Sequence, residues 1–469
     1  MNKRNFLYYL LPSLVSAVVG IFVAVPIITL YLGPKDYGIF AILNAITVPL
    51  TIASIGVTWI FGGNYFRLNE EERKVLIFNV LVFDLVVRFF LTVVFLLSAP
   101  SLLPLVINDY DPSYQGYFLL LVLSILLSTL WSTISPLLVF QEKAHLYALF
   151  EFVGWLTGTI AVIVSLTMFD MGTSALFIGQ LTTGMFLFFG GAIYIRSYIS
   201  PHIQRRWIKE IVTIGMSSVP STAFTSLTEV ANRFFIQHWI TLSSLGMYSH
   251  SLTYRGFFMS GFKAFNRVFV PTILCLYAEN RSIAHLIPKL KKWYGLLGIA
   301  GVFGTFFSYD IINIITHGKF NAAAPLVPLW FLLMLVFTFG TSYIQFLFSE
   351  KKTFFVAASS IAIGTLFLGV SAFFVYRWGI IGAVIAAVLA SFFIQFAMRM
   401  YALKWGCPRI AEREFFSLTF FLIGVYIFSV FIPLSFPIRL GIFLICSLVI
   451  GYWYDLFSLL RQWKFRSTV

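Results

Sequence analysis

The chain has little charge, since Asp, Glu, Lys and Arg together make up only 11% of its 469 residues. Soluble globular domains carry about a quarter. The breaks between its apolar runs are short, and its three cysteines, Cys275, Cys407 and Cys446, have neither disulfide nor metal-ligand spacing. These absences exclude a soluble globular domain. They also predict packing roles for the cysteines, with no metal site and no cofactor.

Apolar residues are abundant, at 59% of the chain, and the mean hydropathy is +0.91. They form segments of roughly 20 residues, which is the length a helix needs to cross a bilayer, whereas barrel strands are about half as long. The sequence therefore predicts an all-α polytopic membrane protein of about fourteen helices. Their windows are 8–32, 39–62, 76–99, 116–139, 148–168, 174–195, 211–240, 246–274, 293–315, 325–348, 354–375, 380–403, 416–433 and 438–458. The first is predicted to be an uncleaved helix rather than a signal peptide.

The basic residues are distributed unequally between the predicted loops. With a cytoplasmic N-terminus, the inner segments hold 22 Lys and Arg residues, whereas the outer segments hold four, Lys35, Lys319, Arg377 and Arg439. This asymmetry follows the positive-inside rule and predicts that both termini are cytoplasmic. The same asymmetry accounts for most of the net charge of +14, so no nucleic-acid partner is needed to explain it.

Two pairs of segments repeat at nearly one spacing. YLGPKDYGIF at 31–40 and LSSLGMYSHS at 242–251 align at an offset of 208, which pairs Gly38 with Gly246. A second pair aligns at 207 and matches Gly172 with Gly379. We interpret the chain as two parallel six-helix lobes related by an axis along the membrane normal, an arrangement found in alternating-access transporters. A scaffold or a channel built by the same duplication is the alternative.

The repeat gives a domain prediction. The predicted parts are an N-terminal lobe at 1–200, a cytoplasmic linker at 201–210, a C-terminal lobe at 211–405, an extra transmembrane hairpin at 414–458 and a cytoplasmic tail at 459–469. The predicted loops are too short to hold the acid, base or metal ligands of a membrane glycosyltransferase or polymerase. We therefore expect no enzyme activity.

Ionisable residues inside spanning helices are costly and usually face a protein interior or an aqueous cavity. The predicted spans contain nine: Asp84, Arg88, Glu151, Glu229, Arg233, Arg255, Lys263, Arg267 and Arg399. Six are basic and three acidic, which favours an anionic cargo. Arginine matches phosphate oxygens especially well, so a phosphate or pyrophosphate group is expected.

Several of these residues also have a simpler explanation. Asp84 with Arg88, and Glu229 with Arg233, are spaced i, i+4 and can pair on one helical face, easing insertion. Arg255, Lys263 and Arg267 lie within about 120° of one helix and can face one cavity, although the latter two can instead snorkel to the cytoplasmic surface. Arg399 is expected at the membrane interface.

Four segments together carry a family resemblance. They are LGPKDYGIF from Leu32, LSSLGMYSHS from Leu242, YDIINIITHGKFNAAAPLVPL from Tyr309 and YRWGIIGAVIAAVLASFF from Tyr376. With them, the chain resembles the polysaccharide-transporter branch of the multidrug/oligosaccharidyl-lipid/polysaccharide (MOP) exporter superfamily. The nearest likeness is to the O-antigen and repeat-unit flippases. The resemblance extends over essentially the whole chain.

The resemblance implies a two-lobed transporter of the bacterial or archaeal cytoplasmic membrane. Its cargo would be a polyprenyl-pyrophosphate-linked oligosaccharide, and its partners membrane lipids, a polysaccharide polymerase and other envelope-assembly proteins. The candidate cargo-binding residues are Arg88, Arg233, Arg255, Lys263 and Arg267. The candidates for ion coupling or charge pairing are Asp84, Glu229 and Glu151.

Two other functions remain as alternatives. One is a cation-coupled multidrug exporter of the same superfamily, and the other is a non-transporting scaffold of an envelope-assembly complex. Drug exporters use acidic groups within the membrane. Here the window 8–32 has no charged residue, and Glu229 has Arg233 beside it, which weakens the drug-export interpretation.

Overall fold

The structure is a computed structural model, which describes residues 11–12, 14–52, 65, 68–141, 143–215, 230–278, 282–350, 352–432 and 434–458. The chain divides into two compact units, Met1–Ser249 and His250–Val469. Every regular element within the described residues is helical.

Helices make up most of the described sequence of the first unit. They are α1 (Leu14–Tyr31), α2 (Pro34–Ile46), α3 (Val48–Ile52), α4 (Glu70–Val106), α5 (Ser113–Leu127), α6 (Thr129–Phe140), α7 (Ala144–Thr167), α8 (Ser174–Ile195), α9 (Arg205–Glu210) and α10 (230–239). The next helix, α11 (Leu242–Ala278), begins in the first unit and continues into the second.

The second unit continues with five long helices. They are α12 (Ile287–Ile315), α13 (Leu326–Ser349), α14 (Thr353–Lys404), α15 (Glu412–Phe431) and α16 (Phe436–Trp453). Among them α13 is central, because 83% of its most apolar window is buried within the protein. It packs against α12, α14 and α15, and Trp330 and Tyr343 are both fully buried on it.

The predicted all-α membrane fold is confirmed. Within the described residues, ten helical segments are long and apolar enough to cross a membrane. The segment Phe355–Lys404 accounts for two of the predicted windows, because Gly379 interrupts it. The windows 39–62, 211–240 and 246–274 are not among the ten, and the first two run beyond the described residues. The count of fourteen therefore stays a prediction.

The LGPKDYGIF segment at 32–40 contains the turn between two helices. Helix α1 ends at Tyr31, and α2 starts at Pro34, whose fixed φ suits the first helical position. The Gly33 N–H donates to Asp36 Oδ2 at 2.8 Å, which satisfies a donor at the start of the helix. Lys35 is exposed beside this turn. A tight turn therefore joins α1 to α2.

Polar contacts attach the C-terminal hairpin, α15 and α16, to the rest of the second unit. Arg399 on α14 pairs with Glu412 through two nitrogen–oxygen contacts of 2.7 Å. Arg439 on α16 reaches Asp310 on α12, with a closest approach of 2.6 Å. The most apolar windows of α15 and α16 are only 17% and 11% buried. Most of their apolar surface is therefore available to lipid.

Glycine is required where α14 changes direction. Gly379 has φ 62° and ψ −141°, a conformation that residues with a Cβ rarely adopt. Gly172, which the 207-residue offset pairs with Gly379, also has a positive φ of 54°. In each half, a positive-φ glycine lies between the fifth and sixth predicted helices.

We expect Gly379→Ala to lower the free energy of unfolding by about 1–3 kcal/mol, because alanine is strained in this conformation. Thermal unfolding in detergent measures the effect. Gly369→Ala is the matched control, since it lies on the same helix with no atom within 4 Å of an added Cβ. Equal melting temperatures for the two variants would contradict the requirement for glycine.

Candidate functional site

Asp84 and Arg88 on α4 form a buried ion pair. Arg88 Nε donates to Asp84 Oδ1 at 3.3 Å, and only 6% and 1% of the two side chains are exposed. Ser132 on α6 donates to Asp84 Oδ2 at 2.8 Å, and Arg88 Nη1 donates to the carbonyl oxygen of Ile125 on α5 at 3.2 Å. The pair therefore connects three helices. Cargo binding by Arg88 and ion coupling by Asp84 stay predictions.

Arg233 on α10 has a different environment. Its Nη1 donates to the carbonyl oxygen of Ala41 on α2 at 3.3 Å. Its Nε is buried and has no hydrogen-bond partner, and no carboxylate among the described residues pairs with this guanidinium. A half-buried cation with an unsatisfied donor is costly unless an anion compensates it. Arg233 is thus suited to an anionic ligand.

Two polar residues near this part of α2 were not predicted. Asn44 lies one helical turn from Ala41, and Gln180 on α8 donates to Asn44 Oδ1 at 3.4 Å. The Oε1 atom of Gln180 is buried without a partner among the described groups. Neither side chain is ionisable, whereas every predicted site residue is. Uncharged amides in the same apolar windows were the signal that could have revealed this pair.

In the second unit, Arg255 lies over the indole of Trp330. The guanidinium carbon is 5.1 Å from the ring centroid, within the range of a cation–π interaction. Trp330 is itself fixed, because its Nε1–H donates to Ser251 Oγ at 3.0 Å and the residue is 1% exposed. Helices α11 and α13 therefore position a half-buried arginine on a rigid aromatic face.

The remaining predicted site residues are described only in part. Lys263 on α11 is exposed. The side chain of Arg267 and all of Glu229 lie outside the described residues. Glu151 on α7 is half-buried and accepts a hydrogen bond from Tyr147 at 3.2 Å. Cargo binding by Lys263 and Arg267 stays a prediction, as does ion coupling by Glu151 and Glu229.

The two repeat-related glycines, Gly38 and Gly246, meet inside the first unit. A Cβ on Gly38 would lie 2.0 Å from the carbonyl oxygen of Leu242, and a Cβ on Gly246 would lie 1.7 Å from that of Pro34. Pro34 and Leu242 are themselves paired by the 208-residue offset. The starts of α2 and α11 thus pack symmetrically, at a separation that only glycine permits.

Side-chain bonds reinforce this end of the first unit. Gln237 on α10 donates to the carbonyl oxygen of Val106 at 2.9 Å, and Asn108 donates to the carbonyl oxygen of Gln237 at 3.3 Å. The end of α4 is therefore tied to the end of α10. These contacts and the contact between Gly38 and Gly246 lie at the helix ends that the charge distribution predicts to be outside.

The chain matches a family model described as polysaccharide biosynthesis protein over residues 27–325, more than half of its length. A comparison with curated proteins finds no match. Among solved structures, the chain is similar to the lipid II flippase MurJ in an inward closed conformation, with a TM-score of 0.76 and 14% identity. That alignment covers 96% of this chain and 99% of the flippase.

Two MOP superfamily transporters are also similar. An inward-facing multidrug resistance transporter of the MATE family has a TM-score of 0.63 and 12% identity, with 84% of this chain and 97% of that chain covered. A transporter from Pyrococcus furiosus has a TM-score of 0.52 and 12% identity, with coverages of 86% and 95%. The MOP superfamily fold predicted from the sequence is thus confirmed, and the chain is a multi-pass membrane protein.

Proposed function

Because this chain belongs to the polysaccharide biosynthesis protein family, we propose that it flips polyprenyl-pyrophosphate-linked oligosaccharide repeat units across the cytoplasmic membrane. The movement is from the inner to the outer leaflet, where the units are assembled into surface polysaccharide. Both termini lie in the cytoplasm, in agreement with the 22 inner and four outer basic residues. The protein acts as a transporter and not as an enzyme, and its partners include a polysaccharide polymerase.

The observation that supports this cargo best is the environment of Arg233. Its guanidinium is half-buried, and among the described residues its buried Nε–H has no hydrogen-bond partner, while its Nη1 donates to the carbonyl oxygen of Ala41. A pyrophosphate oxygen would satisfy that donor and neutralise the charge together. Since arginine binds phosphate oxygens in a planar, two-pronged geometry, it is better matched to this group than to an organic cation.

Arg255 is the second proposed cargo residue. The face of Trp330 holds its guanidinium 5.1 Å from the ring centroid. A guanidinium fixed in this way is matched to the oxygens of a phosphate group. By contrast, we assign Asp84 and Arg88 to pairing within the first unit, because they bond each other and Ser132 donates to the Asp84 carboxylate.

We propose alternating access as the mechanism, with the pyrophosphate bound to protein arginines and the prenyl chain remaining in lipid. The contact between Gly38 and Gly246 closes the outer side before cargo is released. Moving an anion out of a negative interior is favoured by about 2.3 kcal/mol per charge per 100 mV. A head group with about two charges can therefore be driven by the membrane potential alone.

Lipids that copurify with the gently extracted protein test the cargo, and mass spectrometry identifies them. We expect the native protein to retain a polyprenyl-pyrophosphate glycan and Arg233→Gln to retain at least about tenfold less, since a charge-assisted contact contributes about 1.5–3 kcal/mol. Arg377→Gln is the matched control, because Arg377 is an exposed arginine away from the proposed cargo residues. It should retain as much as the native protein.

Equal retention by Arg233→Gln and Arg377→Gln would overturn the assignment of Arg233. Absence of any pyrophosphate lipid, combined with binding of hydrophobic cations that depends on Glu229, would instead favour the drug-exporter alternative. If the protein is a scaffold, its envelope-assembly complex should stay intact, and neither Arg233→Gln nor Arg377→Gln should lose copurified lipid.

A further inference from the structure

A second cationic site lies in the first unit, at the ends of helices predicted to face the cytoplasm. It is a cavity of about 210 Å³ between the start of α4, the end of α6 and the end of α8. Its lining residues are Tyr65, Glu70, Arg73, Lys74, Ile77, Gln141 and Tyr198. Arg73 precedes Arg88 by fifteen positions on α4, which is about 22 Å along a helix. The cavity is therefore separate from the Asp84–Arg88 pair.

Two contacts with Tyr65, and no ion pair among the described residues, hold Arg73 in place. Its Nε donates to the carbonyl oxygen of Tyr65 at 2.7 Å, and its guanidinium lies 4.9 Å from the centroid of the same ring. Tyr65 in turn stacks on Phe140 at 5.5 Å. Among the described residues no acidic side chain pairs with Arg73. Its two terminal nitrogens remain available to a ligand.

Lys143 adds a second positive charge behind the cavity wall. Its ammonium donates to the hydroxyl oxygens of Tyr198 at 2.5 Å and Tyr194 at 3.3 Å. It also lies 4.7 Å from the centroid of the Tyr198 ring. The Tyr198 hydroxyl also shares a hydrogen bond with the Tyr194 hydroxyl, so its O–H reaches a ligand by turning away from Tyr194.

Gln141 is a further hydrogen-bond donor in the cavity wall. Its Oε1 accepts from Tyr194 at 2.7 Å, so the amide nitrogen is its remaining hydrogen-bonding group. Tyr194 thus occupies the Gln141 oxygen, and Lys74 in the lining is paired with Glu70 and Glu71. Among the described residues, the terminal nitrogens of Arg73 and the amide nitrogen of Gln141 have no hydrogen-bond partner and can donate to a ligand. The carboxylate in the lining is that of Glu70, which lies 3.5 Å from Lys74 and is 84% exposed at the rim.

We propose that this cavity binds a phosphate group from the cytoplasmic side. Arg73, Gln141 and Tyr198 donate hydrogen bonds to its oxygens, and Lys143 contributes long-range positive charge. An anionic phospholipid headgroup and a soluble phosphate compound both supply this chemistry. The site needs no flipped cargo, so it stands independently of the proposed transport function.

Two probes distinguish the sources of phosphate, using the full protein in nanodiscs. Inorganic phosphate is titrated into phosphatidylcholine nanodiscs, and the melting temperature reports binding. In a parallel series, phosphatidylglycerol replaces part of the phosphatidylcholine, and native mass spectrometry counts the retained lipid. Binding of inorganic phosphate supports a soluble ligand, whereas selective retention of phosphatidylglycerol supports a lipid headgroup.

We expect Arg73→Gln to weaken binding of the preferred probe at least about tenfold, in line with loss of a charge-assisted hydrogen bond. Tyr198→Phe keeps the ring and removes the hydroxyl, both as a donor to the ligand and as the acceptor from Lys143, so it should fold normally and weaken binding several-fold. Arg205→Gln, at an exposed arginine outside the cavity, should leave binding unchanged. Binding of neither probe would overturn the site, as would equal affinities in Arg73→Gln, Tyr198→Phe and Arg205→Gln.

Discussion

Gly246→Ala is expected to reduce transport by about 5- to 150-fold and to separate the starts of α2 and α11. The added Cβ would lie 1.7 Å from the carbonyl oxygen of Pro34, a backbone atom that cannot rotate away. Overpacking of this kind costs about 1–3 kcal/mol, and a free-energy change of that size alters populations by the expected factor. The conformation in which the starts of α2 and α11 are in contact therefore becomes a minor state.

Hydrogen exchange and lipid export together measure this effect. Faster exchange of backbone amides at 33–38 and 242–248 would report the loss of packing, because local opening exposes those amides. Gly256→Ala is the matched control on α11, since no atom lies within 4 Å of its added Cβ. We expect that control to exchange and transport like the native protein.

Gly38→Ala provides an independent check, since its Cβ would lie 2.0 Å from the carbonyl oxygen of Leu242. The near-symmetry of the contact predicts the same loss from either side. If both glycine variants behave like Gly256→Ala, the contact does not take part in the transport cycle. If amide exchange rises while transport is unchanged, the contact is structural only.

Asp84→Leu is expected to lower the free energy of unfolding by about 3–5 kcal/mol, the range measured when one partner of a buried ion pair is removed. The variant leaves Arg88 only 5% exposed and deprived of its carboxylate. Ser132 also loses the acceptor of its 2.8 Å hydrogen bond. Thermal or denaturant unfolding in detergent gives the size of the effect.

The double variant Asp84→Leu with Arg88→Met separates pairing from cargo binding. Replacing both charges by apolar groups removes the unpaired cation, so we expect most of the lost stability to return. We also expect lipid export to return, because the proposed cargo residues are Arg233 and Arg255. A double variant that regains stability but fails to export would move Arg88 into the cargo site, as the sequence had indicated.

Several features of the site were accessible to sequence reasoning, but only in part. The i, i+4 spacing of Asp84 and Arg88 predicted their pairing, and the structure adds Ser132 and Ile125 from other helices. The position of Arg255 within a span marked it as unusual. Its placement over Trp330 depends on helix α13, 75 residues later, and no local pattern encodes that contact.

The cavity at the start of α4 was not predicted at all. Arg73 and Lys143 were counted only as inner basic residues for topology. What makes a site of them is the approach of Tyr65, Gln141 and Tyr198 from three separate segments. Charge totals for a loop contain no information about which donors remain unused after the helices have packed.

The sequence by itself determined that this is a helical membrane protein, where most of its helices lie, and that glycines recur at equivalent places in two halves. These properties follow from local physics. A long apolar segment in lipid must satisfy its own backbone hydrogen bonds and therefore becomes a helix, and glycine adopts a positive φ without the steric cost that a Cβ brings.

Only the tertiary structure decided that Gly38 meets Gly246, that Arg233 keeps an unsatisfied donor and that Arg73 faces a cavity. The reason is that each depends on atoms brought together from distant parts of the chain. Whether a buried charge is neutralised or left for a ligand is a property of the packed neighbourhood, and side-chain packing between helices is set by the whole fold.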